Sequence, residues 1–498
     1  MNLIRKFYHS FSNNAANRAF CIAGTDISYA EFSEYIAGTR ELINRKINST
    51  NCPVGIVCTD TIETYAAIFA TWFSGNYFVP LNPKHPAERN RLIIENTGIK
   101  NVISVEGDFE GIVDSEKVQL LNNSGLKAAD DNLPVKTDAG QLMYILTTSG
   151  STGEPKYVPI NQKNVEAYCG GFIELYPDLK PADNFLQTYD LTSDAAFTGY
   201  LIPLLIGASV FTVPAHSFKF LSIAKLISDK QITRVKLTPS VLNYLTPYIS
   251  RLDLKHIKQV IFGGEALYLS LLEKWQDVFR NAEFANLYGP TETTISATSY
   301  RFKSIENVKS QNGIISIGKP FPKVECAIID RNGNVLDVEN EGELCIAGDQ
   351  IMQGYLRNSD ENVFIELKTG GNKKRFYRTG DIVKEDKDGY FYFLGRTDDQ
   401  VKIEGYRVNL TELEKAVKDI IPGYNIFAVA HEKLEGLKRL YVFVEGYNGG
   451  QVEIKQQLEK QLPGQMVPDE IFIVPEFPIT TSGKIDKTEL MNSYLHQK

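Results

Sequence analysis

Short apolar runs alternate with amphipathic stretches along most of this chain. Val54-Gly55-Ile56-Val57-Cys58, Asn101-Val102-Ile103-Ser104-Val105, Leu142-Met143-Tyr144-Ile145-Leu146 and Gln259-Val260-Ile261-Phe262 are too short for helices and read as buried strands. Between Glu265 and Phe279, Leu267, Leu271, Leu272, Trp275 and Val278 recur at helical spacing and predict one amphipathic helix. Strands alternating with helices predict parallel sheets covered by helices, an α/β class. The polar stretch Leu121 to Asn132 reads as a surface loop. Between Gly342 and Phe393 the pattern changes to short strands. The turn signals Arg331-Asn332-Gly333-Asn334, Thr369-Gly370-Gly371-Asn372 and Asp386-Lys387-Asp388-Gly389 predict hairpins and a β-barrel-like subdomain there. Beyond about residue 396 a smaller α+β unit is expected, with a helix over Thr411 to Lys418 and a strand over Leu440 to Val444. No internal repeat or low-complexity tract interrupts this order.

Composition narrows the class. A chain of 498 residues is too long for one core, so at least two domains are expected. No apolar run approaches the roughly 20 residues that span a membrane, and Met1 to Tyr8 is not followed by a signal-peptide core. A formal charge of −8 with interspersed signs disfavours a nucleic-acid partner. The six cysteines, at 21, 52, 58, 169, 326 and 345, form no C-x-x-C pair. They read as free thiols of a cytoplasmic protein.

Candidate chemistry concentrates in five motifs. Thr147-Thr148-Ser149-Gly150-Ser151-Thr152-Gly153-Glu154-Pro155-Lys156 sets five hydroxyls, two glycines and a lysine after a strand. Such a loop can present N–H groups, hydroxyls and an ammonium to a triphosphate. It lacks the Walker A spacing, since Glu154 and Pro155 separate the last glycine from the lysine. Asn286-Leu287-Tyr288-Gly289-Pro290-Thr291-Glu292 offers an aromatic for a base and a carboxylate for Mg²⁺. Tyr377-Arg378-Thr379-Gly380-Asp381 puts a carboxylate after a turn, where it suits ribose hydroxyls. Gly395 to Arg407 is dense in charge and glycine, and Ser482-Gly483-Lys484 presents a lysine near the end. Each motif alone reads as an ordinary turn or linker; their order together does not.

In that order the motifs resemble the adenylate-forming superfamily of acyl-CoA synthetases, luciferases and nonribosomal-peptide adenylation domains. The likeness runs from Ile27-Ser28-Tyr29 through Tyr77 to Pro83 and on to Lys484. It implies an N-terminal ATP- and substrate-binding domain over residues 1–395, built from two helix-covered sheets and the β-barrel-like subdomain. A small mobile C-terminal domain over 396–498 would rotate about a hinge near Asp398. A carboxylate would attack the α-phosphate of ATP, and a thiol would then take the acyl group from the adenylate. By resemblance Thr148, Ser149, Gly150, Ser151, Thr152, Gly153 and Lys156 hold the β- and γ-phosphates. Gly264, Glu265, Ala266 and Asn286 border adenine, with Tyr288 stacked on it beside Gly289. Thr291 meets the α-phosphate, Glu292 holds Mg²⁺, and Asp381 and Arg396 hold the ribose. Lys484 bridges the substrate carboxylate and the α-phosphate, and Gly405 marks the tunnel for the thiol arm. Two positions depart from the family: Tyr157 replaces a glycine and Asn409 a glutamate.

The resemblance extends to the acid that is activated. Amino-acid-activating members carry an aspartate ten residues before a Leu-Leu-x-Gly-Ala string. Leu204-Leu205-Ile206-Gly207-Ala208 sets that frame and singles out Asp194; Asp190 lies four residues too early. A helix N-cap is the competing role for Asp194. The remaining pocket positions become Ala195, Thr198, Lys236, Ile261, Gly263, Leu287, Ile295 and Ser296. Lys236 either faces solvent or faces the pocket, and in the pocket it would suit a substrate carboxylate or amide oxygen. The set resembles the signature for aspartate or asparagine, and a small substrate such as alanine stays open. Because the sequence stops soon after Lys484, the expected partner is a separate phosphopantetheinylated carrier protein. Rival readings are a D-alanine–carrier protein ligase, a coenzyme A ligase for an organic acid, and a non-catalytic nucleotide sensor.

Overall fold

The computed structural model describes residues 2–105, 117–129, 133–149, 155–213, 219–252, 254–357, 361–479 and 485–495. They form two compact units. The first holds Met1–Pro83, Asn90–Thr148 and Lys156–Asp398, and the second Lys84–Arg89, Ser149–Pro155 and Asp399–Lys498.

Two large sheets organise the first unit. The six-stranded one runs Gln119–Asn122, Asn101–Ser104, Pro53–Val57, Tyr77–Leu81, Leu142–Thr148, Lys156–Asn161. The nine-stranded one contains Ser209–Thr212, Asn184–Gln187, Arg234–Leu237, Gln259–Gly263 and Glu283–Tyr288 as parallel neighbours in that order. The predicted parallel sheets are therefore mixed at their edges. Lys156–Asn161 and Thr298–Phe302 run antiparallel to their neighbours. One continuous core joins the two sheets. Every residue of the helix Ile62–Phe73 except Glu63 is buried, and its Phe69 and Trp72 share that core with Tyr168, Phe172, Phe197 and Tyr200 of the helices Gln162–Leu175 and Ala195–Ile206. A helix apolar nearly all round belongs inside such a core.

The β-rich region is a five-stranded antiparallel sheet around the strand Asn372–Glu385. Its predicted hairpins form. Thr369 pairs Asn372 across Gly370 and Gly371, whose φ values of 56° and 87° suit a two-residue turn that only glycine enters cheaply. Two expectations change. The helix predicted over 265–279 is confined to Leu269–Trp275. The Glu265 carboxylate instead accepts from the Ser240 backbone N–H at 2.9 Å, and Tyr268 bridges Ile314, so the start of the pattern serves tertiary pairing. The predicted loop from Leu121 begins inside a strand, because Leu121 is buried against Ile103.

In the second unit, Ile426–Leu434, Leu437–Glu445 and Glu470–Val474 form a three-stranded sheet. Val442 and Val444 face a core with Leu413, Val417 and Leu458, while Tyr441 and Phe443 face another with Leu490. Alternate strand positions thus bury both faces, under helices Leu410–Ile420 and Gln451–Gln461 on one side and Lys487–Tyr494 on the other. Asn409 accepts from the Thr411 N–H at 2.9 Å and caps Leu410–Ile420, which accounts for asparagine at that position.

Candidate active site

The hydroxyl-rich loop joins a hairpin at the edge of the six-stranded sheet. Thr148 and Lys156 are register partners across it. Gly150, Ser151, Thr152 and Gly153 lie outside the described residues, and Ser149 just precedes them. Thr148 is half-buried, and its buried hydroxyl has no hydrogen-bond partner among the described residues. The Lys156 ammonium lies 4.9 Å from the ring centroid of Tyr355, whose hydroxyl donates to Glu292 at 2.8 Å. A cation, a phenol and a carboxylate thus gather beside the loop; Tyr355 was not foreseen. Tyr157 packs into the sheet's outer core with Val79 and Ile145 and accepts from the Asn96 amide at 2.9 Å. This packing explains a large side chain at that position.

The segment after Tyr288 is bent by force of packing. A Cβ on Gly289 would lie 2.6 Å from the Ser296 Cα, so only glycine fits. Thr291–Thr293 forms one short helical turn. Thr294 and Ile295 then adopt φ of 57° and 73°, rare for β-branched residues. Such a conformation costs on the order of 1–3 kcal/mol per residue and persists only where its surroundings hold it. Gln350 supplies that hold: its amide donates to the carbonyls of Thr293 and Ser296 at 2.9 and 2.7 Å, and its own carbonyl accepts from the Thr294 hydroxyl at 2.5 Å. Nothing in the spacing around Gln350 distinguished it from a surface glutamine. The turn leaves Glu292 buried with its carboxylate against Tyr355.

Asp381 was expected after a turn. It lies within the long strand Asn372–Glu385, at a bulge where Glu343 pairs Ile382 and Cys345 pairs Arg378. Gly380, φ 70°, makes the bulge, which turns the Asp381 carboxylate out of the ladder. That carboxylate accepts from the Tyr288 hydroxyl at 2.5 Å and from Arg396 at 2.5 Å. Arg396 also grips Asp398 at 2.7 and 2.9 Å. Burial, with the Asp381 charge next in weight, pushes the Tyr288 phenol well above its ordinary pKa, so it stays a donor. Gly264 makes a turn with φ 87° and Ala266 follows, half-buried. The buried Asn286 amide donates to the Ser316 carbonyl at 3.0 Å.

Four of the predicted substrate positions, Lys236, Ile261, Gly263 and Leu287, share one face of the nine-stranded sheet. Lys236 and Ile261 are in register, as are Ile261 and Ala285, and Gly263 and Leu287. The intervening Val235, Val260 and Phe262 face the opposite core. Lys236 is 6 % exposed, which excludes the solvent-facing alternative. Its ammonium donates to the Thr198 hydroxyl at 3.1 Å and lies 5.6 Å from the Tyr189 ring centroid. The Thr198 and Tyr168 hydroxyls are 2.7 Å apart. Ile295 and Ser296 are buried.

Asp194 stands at the N-cap position of Ala195–Ile206, yet its side chain makes no capping bond. The helix runs from there to Gly207, left-handed at φ 79°. One helix length therefore separates the aspartate from the glycine of the string that framed it. Burial first, with Asp194 adding its charge, pushes the phenols of Tyr144, Tyr168 and Tyr189 well upward. Asp190 instead builds its own turn, accepting from the Thr192 backbone and hydroxyl, and takes a bond from Asn82.

In the second unit, Glu404 and Gly405 form a tight turn, φ 50° and 85°, between Gln400–Ile403 and Tyr406–Asn409. Lys484 lies outside the described residues.

Comparison with known proteins completes the description. The family described as "AMP-binding enzyme" is matched over residues 7–356. Zwittermicin A synthase ZmaJ of Bacillus cereus is 30% identical over 479 residues, covering 93% of this chain and 90% of that protein. Gramicidin S synthase 2 of Brevibacillus brevis is 28% identical over 474 residues, 94% of this chain. There the chain spans only 10% of the relative's length. Among solved structures, the Vibrio cholerae adenylation domain AlmE, in complex with glycyl-adenosine-5'-phosphate, superposes with a TM-score of 0.87. It has 24% identity, and the match covers 100% of this chain and 98% of that one.

Proposed function

Because the chain belongs to the AMP-binding enzyme family and is an adenylate-forming enzyme of the nonribosomal-peptide adenylation type, we propose that its substrate is aspartate or asparagine. We further propose that it passes the acyl group to the phosphopantetheine of a separate carrier protein. In the first step a substrate carboxylate oxygen bonds to the α-phosphorus of ATP, and pyrophosphate leaves. In the second, the carrier's sulfur bonds to the acyl carbon and AMP leaves.

Asp194 pairs with the α-ammonium of the amino acid, and Lys236 with its side-chain oxygen. Thr148, Lys156 and the loop between them retain the departing phosphates. Tyr288 lies against adenine, while Asp381 and Arg396 receive the ribose. Lys484 neutralises charge that grows between carboxylate and α-phosphate. Glu292, a buried hard-oxygen donor, suits a Mg²⁺ that would offset phosphate charge. Positioning and charge stabilisation carry most of such a reaction.

The observation that most supports a substrate with a side-chain oxygen is Lys236. It is buried at 6 % exposure, hydrogen-bonded to Thr198, and beside Gly263, where an added Cβ would lie 3.6 Å from the Lys236 Cε. Pyrophosphate exchange across the twenty amino acids, D-alanine and simple carboxylic acids tests it. Exchange should be strongest with aspartate or asparagine. Exchange confined to D-alanine, or to acids lacking an ammonium, sinks the proposal.

A further inference from the structure

A cavity of about 480 Å³ in the first unit is lined by none of the site residues described above. It opens beside the hairpin Arg18–Ile22/Thr25–Ser28, at the start of the helix Ile62–Phe73 and the end of the strand Ser209–Thr212. Its size is that of small-molecule sites. Buried Ile27 and Ile62 give it an apolar floor. Thr212 joins them, 2 % exposed, and its hydroxyl has no hydrogen-bond partner among the described residues. A buried hydroxyl without a partner costs on the order of 1–3 kcal/mol, a penalty that a ligand's polar group would remove.

The rim is acidic: Asp26, Glu31, Asp60 and Glu63 line it, with Lys127 as the one cation among the described lining residues. Each of these charges has a partner beside the cavity, Asp60 accepting from the Tyr65 hydroxyl at 3.4 Å and Glu63 from the Gly125 N–H at 3.4 Å. Asp26 pairs with Arg18 at 3.1 Å, and the Lys127 ammonium lies 3.5 Å from Glu34 and 4.6 Å from the Tyr35 ring centroid. Hydrogen bonds from the Ser28 N–H and hydroxyl hold Glu31 below the usual carboxylate range, so it is ionised at neutral pH. An anion would meet this rim unfavourably, and a purely apolar guest would leave Thr212 unsatisfied.

We propose that this cavity binds a small alkylammonium ion bearing a hydroxyl at its far end. The ammonium lies among the rim carboxylates, the aliphatic stem covers Ile27 and Ile62, and the hydroxyl reaches Thr212. Calorimetric titration of the full chain with aminopentanol, pentylamine, pentanol and pentanoate at low salt tests this. Aminopentanol should bind tightest and pentanoate not at all. Thr212→Val should weaken aminopentanol about tenfold while leaving pentylamine unchanged. Glu63→Gln should weaken both amines, and added salt should do the same; this variant carries the test if Thr212→Val does not fold. Equal binding of pentanoate and pentylamine, no binding of either amine, or amine affinities indifferent to these substitutions would each overturn the proposal.

Discussion

Two buried cations stand two residues apart on the strand Arg234–Leu237, on the same side of the sheet, and do opposite things. Arg234 closes a network. Its guanidinium donates to Asp183 at 2.9 Å, Asp178 at 2.6 Å and Gln259 at 2.9 Å, and Lys258 completes Asp183 at 2.8 Å. Lys236 donates to the Thr198 hydroxyl on a face shared with Gly263. A forked guanidinium between carboxylates is spent on structure, whereas an ammonium beside hydroxyls and a glycine can serve a ligand. Burial alone does not distinguish them, at 1 % and 6 % exposure.

Four experiments bear on that contrast. Asp194→Ala should lower pyrophosphate exchange with every α-amino acid at least about a thousandfold, roughly 4 kcal/mol, while leaving the unfolding curve in place. A mere change of preferred acid would remove Asp194 from the pocket. Arg234→Ala should cost about 3 kcal/mol in urea denaturation, because Asp183 is left buried with a weaker partner set. Exchange by the protein that remains folded should keep the wild-type preference. Lys236→Met should reverse that pattern: kcat/KM for the preferred acid falls about a hundredfold, with the urea midpoint little moved. A large stability loss there would make Lys236 a second Arg234.

The smallest effect is expected at half-exposed Lys258. Burial alone would raise the Asp183 carboxyl, but Lys258 and Arg234 overcome it and hold it below the usual carboxylate range. A depressed carboxylate contributes stability above its unfolded pKa, near about 4, and loses it as pH falls through the lower folded value. Lys258→Ala should therefore cost at most about 1 kcal/mol at neutral pH and flatten the acid side of the stability profile. An unchanged acid slope would mean that Arg234 alone sets the carboxyl.

The same contrast explains what could be read from the chain. Strands such as Pro53–Val57 and Gln259–Gly263 were legible because a continuous apolar run has few other uses. The frame around Asp194 was legible because one helix joins that position to the glycine at its far end. The helix before Trp275 was overextended because Glu265 and Tyr268 fit helical spacing while serving distant backbone. Asp381 read as a turn residue because a glycine bulge inside a strand carries the same letters as a hairpin. Tyr168, Tyr189, Tyr355 and Gln350 went unseen. An aromatic in an apolar stretch looks like core, and a glutamine that holds a strained turn makes its contacts some 55 residues away, from Gln350 to Thr293 and Ser296.

Gly263 sets how this site could be re-engineered. A methyl group there would meet the Leu287 carbonyl oxygen at 3.1 Å and the Lys236 Cε at 3.6 Å, so the wall has almost no slack at that point. Lys236 and Ile261 are side chains on a ladder whose backbone register does not depend on their identity. On the reading proposed above, preference for a new acid would be sought by exchanging those two residues in single steps, with the scaffold unchanged. The glycine between them and Leu287 is the position such a path must leave alone.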